Sequence, residues 1–342
     1  MKESEIPKAE SLGEWAYLAI EKHFEKTLKH EADVLKDRDP EQLHQMRVGM
    51  RRLRSAVTGF APALELPKAA RESKIAKIAR RLGALRDLDV MLEALSSRYK
   101  PSLPPEEQEG LDTALERLAK ERCEAFSLVR ETLHAQPYKK LKQALKEWLK
   151  KPVYKEIAQI EIQEVLPDLL LPQVSRLFLE PGWLVGVKVF EAEIPLSEEL
   201  RLKAVEEILA SRGRLVHSLR KQVKRVRYQM SLFSGLYGPS YAAWVEEMKE
   251  IQEVLGEIQD SLVLEKVLGD VLDEGIDSAL PALAQKLAQT RCQAWQKWQP
   301  LQQRYLSRET RLALRCEFHK PLEVSVNGQV RAVAESADGA MN

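Results

Sequence analysis

Cations repeated along a helical face are the chemical signature of this chain. The segment LHQMRVGMRRLRSA, residues 43–56, is echoed by VHSLRKQVKRVRYQ, residues 216–229, at a constant offset of 173 residues. Under that offset His44 aligns with His217, Arg47 with Arg220, Arg51 with Lys224, Arg52 with Arg225 and Arg54 with Arg227. At about 100° per residue, His44, Arg47, Arg51 and Arg54 share an arc of roughly 80°, and so do His217, Arg220, Lys224 and Arg227. Like charges three or four residues apart destabilise a helix by roughly 0.2–0.5 kcal/mol per pair. No acid stands four residues from any of these arginines or from Lys224 to relieve that repulsion. A stack built twice therefore calls for a compensating anion. Its steps of about 4.5–6 Å suit a chain of phosphates better than one small ligand. Arg52 and Arg225 point about 80° away from the histidines and rank second.

The charge balance agrees. Residues 41–54 hold four arginines and one glutamate, a net of +3, and residues 211–227 hold seven lysines and arginines and no acid. The whole chain carries only +1, so the remainder is strongly acidic. Positive charge focused on an acidic background favours a defined anion site over general adhesion to polyanions.

These faces need helices to carry them. Leu43, Met46, Met50, Leu53, Val57 and Phe60 form an apolar arc beside the first cation stack, and Val216, Leu219, Val223, Val226, Met230 and Phe233 form one beside the second. Both arcs must be buried, which sets the cations at the edge of a groove. Helical periodicity dominates the 342 residues and predicts helices over residues 11–35, 74–97, 106–135, 138–149, 198–237 (with a bend at Gly213), 241–271 and 278–306. Residues 152–197, interrupted by Pro167, Pro172, Pro181 and Gly182, are expected to be less regular. The offset extends to Ile78 and Ile251, Leu82-Gly83 and Leu255-Gly256, and Asp87 and Asp260, with a weaker echo between residues 122–126 and 291–295. A duplicated all-α unit follows: a first bundle over residues 11–150, a second over 151–306, and a disordered tail over 320–342.

Three scattered cysteines without a CxxC, a polar acidic start, and no run near the ~20 apolar residues needed to span a bilayer together predict a soluble cytoplasmic protein with no membrane partner.

The string His-x-x-Arg-Val-x-x-Arg-Arg-Leu-Arg at residues 44–54 resembles the CHAD family, the conserved-histidine α-helical domain. So does Leu-Gly-x-x-Arg-Asp-Leu-Asp-Val at residues 82–90, while residues 217–228 and 255–260 look like that family's C-terminal half. The resemblance spans roughly residues 11–306. It implies two pseudo-symmetric antiparallel four-helix bundles around a basic groove or pore that binds inorganic polyphosphate, with a possible home on polyphosphate granules. Carried over by position, His44, Arg47, Arg51, Arg54, His217, Arg220, Lys224 and Arg227 would line it, with Arg52 and Arg225 secondary. The pattern departs from the family at Ser231, where a glutamate is common. Lys74, Lys77 and Arg80 become Glu247, Glu250 and Glu253 in the second half, which marks the lysines as solvated surface. Asp87 and Asp260, each following a helix-packing glycine, are expected to anchor a cation or a helix end.

Other classes fare worse. The family is often joined to triphosphatase modules that need an ExExK strand, yet Glu191-Ala-Glu193-Ile-Pro195 lacks the lysine, and P-loop and HExxH motifs are absent. No catalytic residue, cofactor or metal is expected. Histidine phosphotransfer is the enzymatic alternative, with Lys221 crowding His217 and Gly49 leaving room near His44. Nucleic-acid binding is the other, disfavoured because only Tyr228 offers an aromatic platform near the cations.

Overall fold

A computed structural model of the chain describes residues 9–187, 198–272, 274–324 and 330–331. The fold is all-α. In order the helices are α1 (Leu12–Lys29), α2 (Glu31–Val34), α3 (Pro40–Gly59), α4 (Glu72–Glu93), α5 (Pro105–His134), α6 (Gln136–Lys150), α7 (Ile162–Phe178), α8 (Glu198–Leu232), α9 (Pro239–Val271), α10 (Ile276–Ala279), α11 (Pro281–Leu306) and α12 (Arg308–Glu317). The motif helix α3 starts where Asp39 accepts a hydrogen bond from the Glu41 N–H at 2.9 Å and Pro40 takes the first turn, a strong N-terminal signal.

Both apolar arcs are buried as the spacing requires. Met46 and Leu53 of α3, Phe60 at its C-terminal cap, and Leu219, Val223 and Met230 of α8 have at most 1% of their surface exposed. In the first half α3 packs between α1 and α4, and α4 packs on α5. In the second half α8 packs on α7, α9 and α11.

Besides the start of the second half, which lies against α1, the halves meet at two contacts among the described residues. Near the ends of α3 and α8, Phe60 and Phe233 pair edge to face at 5.3 Å, and the Gln229 amide donates to the Ser55 carbonyl at 3.1 Å. Phe60 and Phe233 are equivalent under the offset, so the contact is between like residues. At the far ends of α4 and α9, Leu95, Leu111 and Leu118 share a buried cluster with Leu264, Leu268, Leu283 and Leu287. There the buried Glu107 carboxylate accepts the Ala282 and Leu283 N–H groups at 2.8 and 3.1 Å. It thereby caps α11 from the opposite half.

The fold departs from the sequence reading at four points. Residues 11–35 break at His30, whose ring meets the Gln42 side chain at 2.9 Å and ties the corner to α3. Residues 152–197 are not loosely structured throughout: α7 runs through Pro167 and Pro172. An interior proline costs about 3 kcal/mol, and burial of Ile162, Val165, Leu166, Leu170, Val174, Leu177 and Phe178 offsets it at roughly 1.5–3 kcal/mol per large side chain. Gly213 lies inside the uninterrupted α8. Of the tail expected to be disordered, residues 323–324 pair antiparallel with 330–331, pinned by the Leu322 N–H on the Leu236 carbonyl at 2.9 Å; residues 325–329 and 332–342 lie outside the described residues.

The weaker echo is a pair of clamps. Arg122 of α5 bonds Asp37 and Asp89, and Arg291 of α11 bonds Glu206 and Glu265, each at 2.6 Å. The Arg291 side chain is only 1% exposed, whereas its carboxylate partners are 33% and 29% exposed. Removing one member of a buried pair costs about 3–5 kcal/mol. Arg291→Met is therefore expected to lower the unfolding free energy by about 3 kcal/mol in a urea titration. Arg122→Met should lose less, because Arg122 is 21% exposed. A loss under about 1 kcal/mol for Arg291→Met would mark the clamp as an ordinary surface pair.

Candidate functional site

Between the two inter-half contacts, the cation stacks of α3 and α8 converge. Lys224 of α8 lies in the field of Arg220 on its own helix and of Arg47 and Arg51 on α3, with Asp87 of α4 opposing them. Burial first, and these arginines second, hold its ammonium down to about 8. Arg51 is likewise held below the usual guanidinium range by burial, and by Arg47, Arg227 and Arg52, against the opposing influence of Tyr228. The guanidinium carbons of Arg51 and Arg227 lie 4.4 and 4.7 Å from the centre of the Tyr228 ring, so one phenol gathers an arginine from each half.

Arg47 and Arg220 are aimed by their neighbouring helices in the same way. Arg47 passes over Gly83 of α4, where an added Cβ would stand 3.6 Å from its Nε, and reaches the Asp87 carboxylate at 3.3 Å. Arg220 passes over Gly256 of α9, with the corresponding gap 3.5 Å, and reaches Asp260 at 3.5 Å. The aspartates therefore anchor cations, as their position after a glycine suggested. Their side chains are 69% and 75% exposed, so they only partly neutralise the arginines. The Nε atoms of Arg51, Arg220 and Arg227 and the Nδ1 of His217 are buried with no hydrogen-bond partner among the described residues. The three buried arginine Nε–H donors, left unpaired, carry a desolvation penalty and are poised to take an acceptor.

The histidines flank this cluster. Burial pushes His44 below its usual range, with Arg86, Arg51 and Arg47 adding to the effect and Glu41 opposing it. Burial also depresses His217, followed by Lys221, with a Gln259 side-chain contact opposing and Arg220 reinforcing. Arg86 and Gln259 are equivalent under the offset, so each histidine faces the same place on its neighbouring helix.

Arg54 is placed differently from Arg227. It is exposed and bonds Glu72 at the start of α4, at 2.5 Å; the equivalent of Glu72 is Val245, so no such acid draws Arg227 away. Arg52 and Arg225 are exposed, and Arg225 bonds the Gln222 side chain at 3.1 Å. The sequence reading missed Arg86, although it sits inside the Leu-Gly-x-x-Arg-Asp string, and undervalued Tyr228. A depression of about 490 Å³ on α1, lined by Glu21, Lys22, Glu25, Lys26 and Lys29, contains none of these residues. Among the described residues no group of three or more His, Cys, Asp or Glu side chains is placed to hold a metal ion. Nor is any described helix long and apolar enough to cross a membrane.

Comparison with known proteins gives three results. The family model described as CHAD domain matches residues 18–269. The crystal structure of the CHAD domain from the plant Ricinus communis shares 23% identity and a TM-score of 0.55, with 96% of this chain and 97% of that chain covered. PptA from Streptomyces chartreusis shares 14% identity and a TM-score of 0.61, with 86% of this chain and 100% of that chain covered. No curated protein matches.

Proposed function

The chain belongs to the CHAD domain family, and from that premise we propose that it binds inorganic polyphosphate, without catalysis, along the basic cleft where its two halves meet. The observation that carries the reading is the convergence of Arg47 and Arg51 from α3 with Arg220, Lys224 and Arg227 from α8, in a setting that leaves Lys224 depressed to about 8 and three arginine Nε atoms unpaired. Such a cluster is electrostatically strained when empty. A polyanion relieves it by supplying acceptors to many donors at once. The protein's place would then be the cytoplasm, in contact with polyphosphate granules. Nucleic-acid binding is the weaker reading, because Tyr228, the aromatic residue of the cluster, already has two guanidinium groups against its ring and is not free to stack a base.

Calorimetry with long-chain polyphosphate and with orthophosphate tests the proposal. Submicromolar binding of the chain, weak binding of the monomer and a steep fall with salt are expected, since many contacts act together. Equal affinity for the two ligands would overturn it.

The histidines supply a second test. Both imidazoles lie below the usual 6.5 in the empty protein. A bound polyanion reverses the local field and raises them. The bound state then holds more protons, so affinity increases as pH falls through the window between free and bound values, and is flat above it. NMR titration of His44 and His217 with and without polyphosphate is expected to show both pKa values rising; unmoved values would leave the arginines and Lys224 to act alone.

A further inference from the structure

The duplication is unequal in one respect. On α8, Arg214, Lys221 and Arg225 form a second cationic stripe, roughly 40–80° from His217 and on the side opposite Arg220 and Lys224. All three are exposed, and none lies within ion-pair distance of a carboxylate among the described residues. Their equivalents on α3 are Glu41, Val48 and Arg52, so the charges of Arg214 and Lys221 are particular to α8. The stripe rises about 16 Å along the helix and leads away from the crossing of α8 with α3 at Gln229 and Ser55. It adjoins the cleft at His217, on which Lys221 is the strongest charged influence.

Resting on the polyphosphate reading above, we propose that Arg214, Lys221 and Arg225 form an exit track. On it, the part of a long polyphosphate chain that the cleft cannot hold continues over the outside of α8, on that half alone. A chain already held in the cleft meets the stripe at high effective concentration, so modest contacts add to its affinity. A ligand short enough to stay among the cleft cations gains nothing.

The test uses the full chain carrying Arg214→Gln and Lys221→Gln, the two track residues outside the cleft set, with long-chain polyphosphate and tripolyphosphate as probes. A control carries Lys74→Gln and Lys77→Gln, which removes the same charge from the exposed face of α4. The track variant is expected to lose roughly tenfold or more in long-chain affinity, with a shallower salt dependence, and to hold tripolyphosphate within about twofold of the wild type. The control should match the wild type with both probes. Equal losses for the two probes, equal losses in track variant and control, or no loss at all would each overturn the track. Failure of the wild-type chain to bind long-chain polyphosphate would instead defeat the underlying reading, so the two failures are distinct.

Discussion

Arg47→Glu combined with Arg220→Glu is expected to reduce the affinity for long-chain polyphosphate by ~10³-fold or more while leaving the helical content unchanged. Each substitution removes a charge-assisted contact worth about 1.5–3 kcal/mol, and every 1.4 kcal/mol is about tenfold in affinity. The introduced carboxylates would also face Asp87 and Asp260, turning the centre of the cleft against an anion. The fold should tolerate the change because both arginines flank the buried arcs rather than fill them. Lys74→Glu with Lys77→Glu serves as the comparison, since both lysines are exposed on α4 and are expected to matter little. Comparable losses from the two pairs would point to a diffuse electrostatic surface.

Lys224→Met is expected to make the protein more stable and a poorer binder at once. The ammonium is depressed from 10.5 to about 8 by burial and by Arg220, Arg47 and Arg51, which corresponds to about 3 kcal/mol against folding at neutral pH. The sign follows from linkage. Between pH 8 and 10.5 the unfolded chain holds the Lys224 proton and the folded chain does not, so wild-type stability rises across that window. The penalty is present in full below it. Urea unfolding of both proteins at pH 7 and near pH 10 checks this: the variant should lead at pH 7, and its advantage should shrink at the higher pH. A variant less stable than wild type at pH 7 would mean that Lys224 is stabilised by contacts outweighing its burial. Polyphosphate binding should restore the ordinary lysine range, so wild-type binding near pH 9 takes up a proton that the variant does not.

Much of this arrangement was legible in the residues alone. The constant offset between residues 43–60 and 216–233 specified two equivalent helices, their buried arcs and the arginines beside them, because side-chain direction on a helix follows spacing. Lys74 and Lys77 are solvated as their reversal to Glu247 and Glu250 suggested, and Glu247 serves its own half by pairing with Arg304 and the Tyr305 hydroxyl at 2.7 and 2.9 Å. What spacing could not convey is contact between helices. Nothing in residues 43–56 shows that Glu72 will draw Arg54 outward, or that Tyr228 will collect Arg51 from the other half. The α7 prolines misled for the same reason: local rules register a missing donor, whereas burial of that helix's apolar face is decided by its neighbours.

The Glu107 cap on α11 and the paired Phe60 and Phe233 also decide whether the repeat can be divided. Each copy carries its own stack of cations, yet neither carries a complete interior. The buried set that includes Phe60 includes Phe233 as well, and the smaller set draws on α5 and α11 together. A fragment ending before residue 188 would keep His44, Arg47 and Arg51 while leaving Leu111 and Phe60 without their covering surfaces, and α11 in the other fragment would lose its anionic cap. The two copies thus share their interior across these contacts, and a single half would lack part of it.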